Sequence, residues 1–356
     1  MSPIPQSLVR APFPYMGGKS RCAREVWEAL GDVHHYIEPF AGSLAVALNR
    51  PAEHTHSLTT VNDKDVSCAN FWRAIHLAPE EVARHADWPV SEIDTRARHR
   101  WLVETRDERR AKLEADPEYF CAKAAGWWAW GTSCAIVPGL FGAMRASPSP
   151  TMDLAGGPGK DVREVRGPDL PHLSSPGQGV NQLSLASEPT GARPCLARPR
   201  GTNRDGVSGG GLPPYFAELA RRLRRVRVCC GDWTRVVSDG VLNYGGSVGV
   251  FLDPPYDDGV RTPGIYAEDS SPHLSSEVRA WAISQAAGPR IRIVLAGYEA
   301  EHAAHMPSSW RMHVVEKVAT PYASTEKQEQ RQERLWLSPH CLKPTKAQKE
   351  LWGAPA

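Results

Sequence analysis

Tyr36-Ile37-Glu38-Pro39-Phe40-Ala41-Gly42-Ser43-Leu44-Ala45-Val46-Ala47-Leu48 passes from an apolar pair through a small, polar turn into a second apolar stretch. This reads as a short buried strand, a turn and a helix start, the βα unit of a parallel sheet. A second unit follows at once. A strand ends near Val61, Asn62-Asp63 forms the turn, and Val66 to Leu77 has helical spacing with Phe71, Trp72 and Ile75 on the apolar side. Two consecutive βα units predict an α/β fold with a doubly wound, Rossmann-like sheet.

Further along, Tyr215 to Arg225 reads as an amphipathic helix, with Phe216, Leu219, Ala220 and Leu223 inward and Arg221, Arg222, Arg224 and Arg225 outward. It feeds a strand, Val226 to Cys230, that stops at Gly231-Asp232-Trp233. Two more strands follow, Val248 to Leu252 ending at Asp253, and Ile291 to Leu295 ending at Gly297-Tyr298. Strands that end on small or polar residues suit a carboxyl edge lining a ligand crevice.

The gap from Asp63 to Asp232 is too long for one crossover, since a βα loop normally takes ~2–6 residues. A region is therefore inserted, over 80–214. Its first part, Glu80 to Ile136, is helical in composition and carries Trp127, Trp128 and Trp130. Its second part, Pro138 to Pro214, holds 26 of the chain's 30 glycines and 31 prolines, with Phe141 as its one aromatic residue. Such a tract builds little core, so flexible loops are expected there.

Over all 356 residues, 41% hydrophobic and 23% charged composition is ordinary for a globular protein and excludes whole-chain disorder, collagen and coiled coil. No apolar run approaches the ~18 residues of a membrane span, and Met1 to Arg10 lacks a signal-peptide layout. A soluble, cytoplasmic protein without a membrane partner is expected. The 8 cysteines form no C-x-x-C pair, which suits free thiols in a reducing compartment. His34, His35, His54 and His56 lack carboxylate or Cys partners at coordinating spacing, so no metal is expected. A net charge of +2 announces no global basic field, leaving any nucleic-acid contact to local patches.

Asp253-Pro254-Pro255-Tyr256, directly after a strand, carries the most chemistry. The lone pair of an exocyclic amine on a nucleobase is conjugated into the ring, which makes it a poor nucleophile. A carboxylate (Asp253) and a rigid backbone carbonyl (Pro254) that accept its N–H bonds would hold the nitrogen toward a tetrahedral shape. The two prolines fix the turn without adding donors, and Tyr256 offers a face for an extruded base. In isolation the four residues also describe a Pro-Pro strand terminator with an incidental Asp and a packing Tyr.

Tyr15-Met16-Gly17-Gly18-Lys19 stands ahead of the first strand and Glu38-Pro39-Phe40-Ala41-Gly42 after it. A Gly-Gly turn admits close backbone approach, Lys19 answers a carboxylate, and Gly42 opens access at a helix start. Asp63, at the end of the second strand, is placed to accept bonds from ribose hydroxyls, although Asn62-Asp63 alone also reads as a helix cap. Asp232, with Trp233, is a turn residue unless its neighbours form a nucleoside pocket.

Those segments, with Asn70-Phe71-Trp72-Arg73-Ala74-Ile75 and the closing Glu333-Arg334-Leu335-Trp336, resemble the DNA adenine methylase family over most of Ala11 to Cys341. Their order resembles its alpha arrangement, and phage- or prophage-borne members look most similar. The resemblance implies S-adenosylmethionine as donor. It sets Tyr15 and Lys19 near the methionine end, and counts Gly17, Gly18, Glu38, Pro39, Phe40 and Gly42 among the donor-binding residues. Asp63 falls on the ribose and Asp232 and Trp233 near the adenine, while Asp253 stands close to both donor and target amine. It implies a catalytic domain in two parts, 11–79 and 215–342, a target recognition region over 80–214 (loop-rich over 138–214), and a tail at 343–356. Double-stranded DNA is the implied partner, and a cognate restriction endonuclease a further one. Two positions depart from the pattern: Leu44 stands where the family usually has a second glycine, and Tyr15 where a tryptophan is common. Both bear on the shape of the donor pocket.

The expected reaction is methyl transfer to adenine N6, with cytosine N4 as its enzymatic rival and a catalytically silent nucleic-acid-binding module as a rival of another class. RNA is a weaker alternative substrate. Arg221, Arg222, Arg224 and Arg225 are candidate phosphate contacts, with a solvated helix face as the commoner reading of such a run. Arg96 to Arg110 alternates with acidic residues that can pair with it, and the tryptophan spacing more often packs a core than stacks bases.

Overall fold

A computed structural model describes residues 11–13, 19–54, 58–89, 91–134, 212–255, 273–315 and 333–343. The strands are β1 (His35–Glu38), β2 (Leu58–Asp63), β3 (Val226–Cys230), β4 (Val248–Leu252), β5 (Ile291–Tyr298), β6 (Arg311–Val314) and β7 (Glu333–Leu337). They form one sheet in the order β3-β2-β1-β4-β5-β7-β6. The first five in that order run parallel, and β7 lies antiparallel between β5 and β6. The order reverses between β1 and β4, where the chain ends leaving the two strands diverge and open a crevice at the carboxyl edge.

Alternation along each strand divides the apolar side chains between the two faces. Tyr36, Phe251, Val294, Ala296, Leu335 and Leu337 pack with helix α1 (Ala23–Leu30). Their neighbours Ile37, Val250, Leu252, Ile293, Leu295 and Trp336 pack instead with Trp233, Val278 and Ala282. The latter two residues belong to the helix Leu274–Gln285. Helix α2 (Val66–Leu77) begins where the Asp65 side chain accepts the Ser67 N–H, a cap that satisfies an orphan donor. It buries Phe71, Trp72 and Ile75 against α3 (Pro79–Ala86), α6 (Ala122–Cys134) and α7 (Leu212–Leu223).

Several boundaries differ from the sequence reading. Residues Leu44–Leu48 do not start a regular helix. They form turns and one short 3-10 segment, Ala47–Asn49, because the chain folds back so that Ala47 N–H reaches the Glu38 carboxylate. Asn62 and Asp63 are paired to β3 as strand rather than turn. Helix α7 starts at Leu212, so Leu212, Pro213 and Pro214 lie in its first turn, where proline costs no helical bond, and not in a loop. The rest of the Gly/Pro-rich tract, and the tail from 344, lie outside the described residues.

The stretch that follows α2 is helical as expected: α3 and α6, with α4 (Glu92–Glu104) and α5 (Arg106–Ala115). Trp128 and Trp130 are buried, so the tryptophans build a core. The buried Arg98 guanidinium lies 4.4 Å from the Trp130 ring and 5.1 Å from Trp127. Arg109 is also buried, donating to the Leu102 carbonyl. These two arginines hold helices together. Among the described residues no helix is long and apolar enough to cross a membrane, and no cluster of His, Cys, Asp and Glu is arranged to hold a metal.

Leu44 has φ 56°, the left-handed backbone that favours glycine, and its side chain is fully buried. The chain therefore keeps a glycine-like conformation where its resemblance to the methylases calls for glycine, with the strain held by packing. Leu44→Ala is expected to lose the packing and keep the strain, whereas Leu44→Gly loses the packing and relieves the strain. Chemical denaturation should find Leu44→Gly the more stable of the two by about 1 kcal/mol, the reverse of the usual order.

Candidate active site

Strand parity sets which side chains meet at the crevice. Glu38 shares a face with Tyr36, and Glu333 with Leu335 and Leu337. Asp253 continues the alternation from Phe251. All three carboxyls thus come to the face covered by α1, and Lys19 lies on the chain leading into that helix. Its ammonium, in a residue only 4% exposed, stands 2.7 Å from Asp253 Oδ1 and 2.7 Å from Glu333 Oε1. β4 and β7 are not neighbours, since β5 lies between them. On β5, Tyr298 stands opposite Glu333 and the small Ala296 opposite Leu335.

Burial pushes the Asp253 carboxyl up to about 7. Lys19 opposes that shift, and the carboxylates of Glu333 and Glu301 add to it. Burial likewise pushes Glu38 up to about 8, against hydrogen bonds donated by the Tyr36 hydroxyl at 2.9 Å and the Ala47 N–H at 3.2 Å. Asp253 adds to the rise and Lys19 counters it. Lys19, Glu38 and Asp253, proposed from separate motifs, are therefore one electrostatic unit. Glu333 joins them although the sequence reading gave it no role of its own. The available signal was the alternation from Glu333 to Leu337, which puts the acid on the face of the two leucines.

Gly42 and Asp63 are also brought together. Gly42 N–H donates to Asp63 Oδ2 at 2.8 Å, and Asp65 N–H to Asp63 Oδ1 at 2.9 Å. Beside it, the buried Asn62 side-chain amide donates to the carbonyls of Pro39 and Gly231, both at 3.0 Å, tying the ends of β1 and β3 to β2. Asn62 Oδ1 is buried without a hydrogen-bond partner. Phe40 and Trp233 face one another with ring centroids 6.0 Å apart, and Trp281 meets Trp233 edge-on at 5.6 Å. The Asp232 carboxylate is exposed and accepts the Thr234 N–H, capping its own short turn.

Pro254 is buried and Pro255 partly so, continuing from β4. Tyr15, Gly17, Gly18 and Tyr256 lie outside the described residues. The arginine run is not at this site. It follows α7 into the start of β3, the amino edge of the sheet, whereas Asp253 leaves the carboxyl edge. Arg221 and Arg222 both pair with Glu218, and Arg222 also donates to the Leu48 carbonyl. Arg224 and Arg225 remain exposed.

The buried acids make stability depend on pH. Folding raises the pKa values of Asp253 and Glu38, so each costs stability as pH climbs from the ordinary carboxylate range toward about 7 and about 8. His35 and His302 act in the opposite sense. Burial lowers them to about 4 and about 3, so stability rises with pH from there to the ordinary histidine value of 6.5. Above pH 6.5 the carboxyl effect is left. The melting temperature of the ligand-free protein is expected to fall from pH 6.5 to 8. Glu38→Gln, which can still accept from Tyr36 and Ala47, should flatten that fall.

Residues 15–112 match the family model described as D12 class N6 adenine-specific DNA methyltransferase. Over those residues the match bears out the resemblance to an adenine-specific DNA methyltransferase family and supports such an enzyme. The mixed α/β architecture is consistent with a methyltransferase fold. The matched segment carries Lys19, Glu38 and Asp63 and ends within α5. A comparison with curated proteins finds no match.

Proposed function

With the match over 15–112 as premise, we propose that the chain transfers a methyl group from S-adenosylmethionine to the N6 amine of adenine in a specific site of double-stranded DNA, with the base turned out of the duplex. The observation that carries this reading is the Lys19–Asp253 pair at the carboxyl edge of β4, directly ahead of two prolines. Lys19 fixes Asp253 Oδ1, which leaves the other carboxylate oxygen to accept one N–H of the target amine. The Pro254 carbonyl, held rigid by its ring, accepts the second. The amine nitrogen is thereby turned toward a tetrahedral shape, and Tyr256 supplies a stacking face for the base. Extrusion costs only a few kcal/mol, within reach of those contacts.

The residues present fit the donor. Its sulfonium is a cation, and the two carboxyls of Asp253 and Glu333 share a single Lys19 ammonium here. Asp63, at the end of β2, is the carboxylate proposed to take the ribose hydroxyls, Phe40 and Trp233 offer aromatic surface to an adenine, and Asp232 rims that surface. Asn62 Oδ1 is a buried acceptor at the same edge. When bound, the donor supplies an electrophilic methyl. The chain's part is to hold the amine, exclude water and set Lys19 beside Asp253, where it favours the ionised carboxylate against burial. The inserted region, 80–214, is proposed to read the DNA site. Arg98 and Arg109 serve its own packing, and the run from Arg221 to Arg225 stands apart from the crevice.

Methylation-aware sequencing of DNA from a methylation-deficient host expressing the chain tests the proposal. Modified adenine in one short sequence context supports it. Cytosine modified at N4 would replace adenine as the target, and no modification would favour the silent binding module.

A further inference from the structure

Resting on the methyltransferase reading, we infer that Glu333 determines ligand charge preference at the donor seat: its carboxylate, added to the Lys19–Asp253 pair, makes the seat favour the cationic sulfonium donor over its neutral thioether product.

The argument begins with the count of charges on one face of the sheet. One ammonium, Lys19, stands 2.7 Å from each of two carboxylates. Above about pH 7, where Asp253 is ionised as well as Glu333, the trio is net negative. Among the described residues, the arginines nearby are engaged elsewhere. Arg334 is turned to the Glu299 carboxylate at 2.8 Å, and Arg279 to the Glu301 carbonyl at 2.7 Å and to His302. The largest charges acting on Asp253 among the described residues are Lys19 on one side and Glu333 and Glu301 on the other. A lone Lys–Asp pair would be neutral and indifferent to the ligand's charge. The second carboxylate removes that indifference.

The target amine must be held by Asp253 while facing the donor's methyl, so the sulfonium comes close to this trio in any productive pose. Donor and product share every other group, and their difference is one positive charge. Glu333 is 23% exposed and Asp253 17%, so solvent screens the attraction in part without abolishing it. Through an effective dielectric of about 20, one charge about 12 Å away alters a binding constant by about tenfold. Methyl transfer removes the positive charge from the ligand. Glu333 therefore weakens the seat's hold on the spent donor relative to the fresh one, which favours exchange between turnovers.

Isothermal titration calorimetry of the full chain with S-adenosylmethionine and with S-adenosylhomocysteine tests this on wild type, Glu333→Gln, Glu333→Ala and Glu333→Asp. The expected result is that the ratio of donor to product affinity falls about tenfold in the two neutral variants. Most of that change should come from weaker donor binding, while Glu333→Asp keeps the ratio within about threefold. Melting curves run alongside identify which neutral variant keeps the wild-type fold, and the ratio is read on that one. Parallel weakening of both ligands, or an unchanged ratio, overturns the inference and makes Glu333 a structural support of Lys19. Binding of neither ligand to wild type overturns the donor reading itself, and this inference with it.

Discussion

Asp253→Ala is expected to lower methyl transfer by at least about 10²–10³-fold, the usual cost of deleting one preorganised group aimed at developing charge. The same substitution is expected to leave the melting temperature unchanged or raised. Two observations support that pairing. Burial and the neighbouring carboxylates push the Asp253 carboxyl up to about 7, so its ionised form is held at an energetic cost. Lys19, moreover, keeps a second partner in Glu333 at 2.7 Å when Asp253 is gone, so no buried ammonium is stranded. Single-turnover transfer of labelled methyl to duplex DNA, with thermal melting on the same preparations, reads both quantities. Transfer within tenfold of wild type would remove Asp253 from the reaction. A collapse of the melting temperature would mean that the residue serves folding.

Lys19→Met is expected to do the opposite to stability. Removing the shared ammonium leaves two carboxyls close together, both less than a quarter exposed. Stranding buried charge in this way typically costs about 3–5 kcal/mol, and the partial exposure of both acids argues for about 3 kcal/mol at pH 8. The penalty should shrink as pH falls toward 6, because protonation relieves the repulsion that the lysine formerly balanced. Denaturant unfolding of wild type and variant at pH 6 and pH 8 gives the comparison. A pH-independent difference would show that Lys19 acts through packing rather than charge. Activity should fall as well, by about tenfold or more, since Asp253 loses the contact that orients it.

Much of the fold could be read from local pattern. Val66–Leu77, Val226–Cys230 and Val248–Leu252 have the bounds that their hydrophobic periodicity gives. Each is amphipathic or wholly apolar and bounded by residues that break the pattern, so the information lies within a dozen neighbours. The stretch from Leu44 to Leu48 misled for a related reason. Its composition suits a helix, but a buried Glu38 carboxylate takes the Ala47 N–H, and Leu44 adopts φ 56°. Tertiary hydrogen bonding overrode local preference there. The arginine run was legible as a charged helix face. Its place at the amino edge depends on the direction in which β3 runs beside β2, which no local pattern states.

The sequence by itself determined the α/β class, the strand that delivers Asp253 to an edge, and the chemistry of a carboxylate followed by two prolines. These are properties of contiguous residues. Only the tertiary structure decided that β7 lies antiparallel against β5 and that Glu333 shares the Lys19 ammonium with Asp253. Lys19 and Glu333 stand near opposite ends of the chain. Their meeting is fixed by strand order and register, which arise from packing the whole sheet between its helices, and so it appears only once the sheet is assembled.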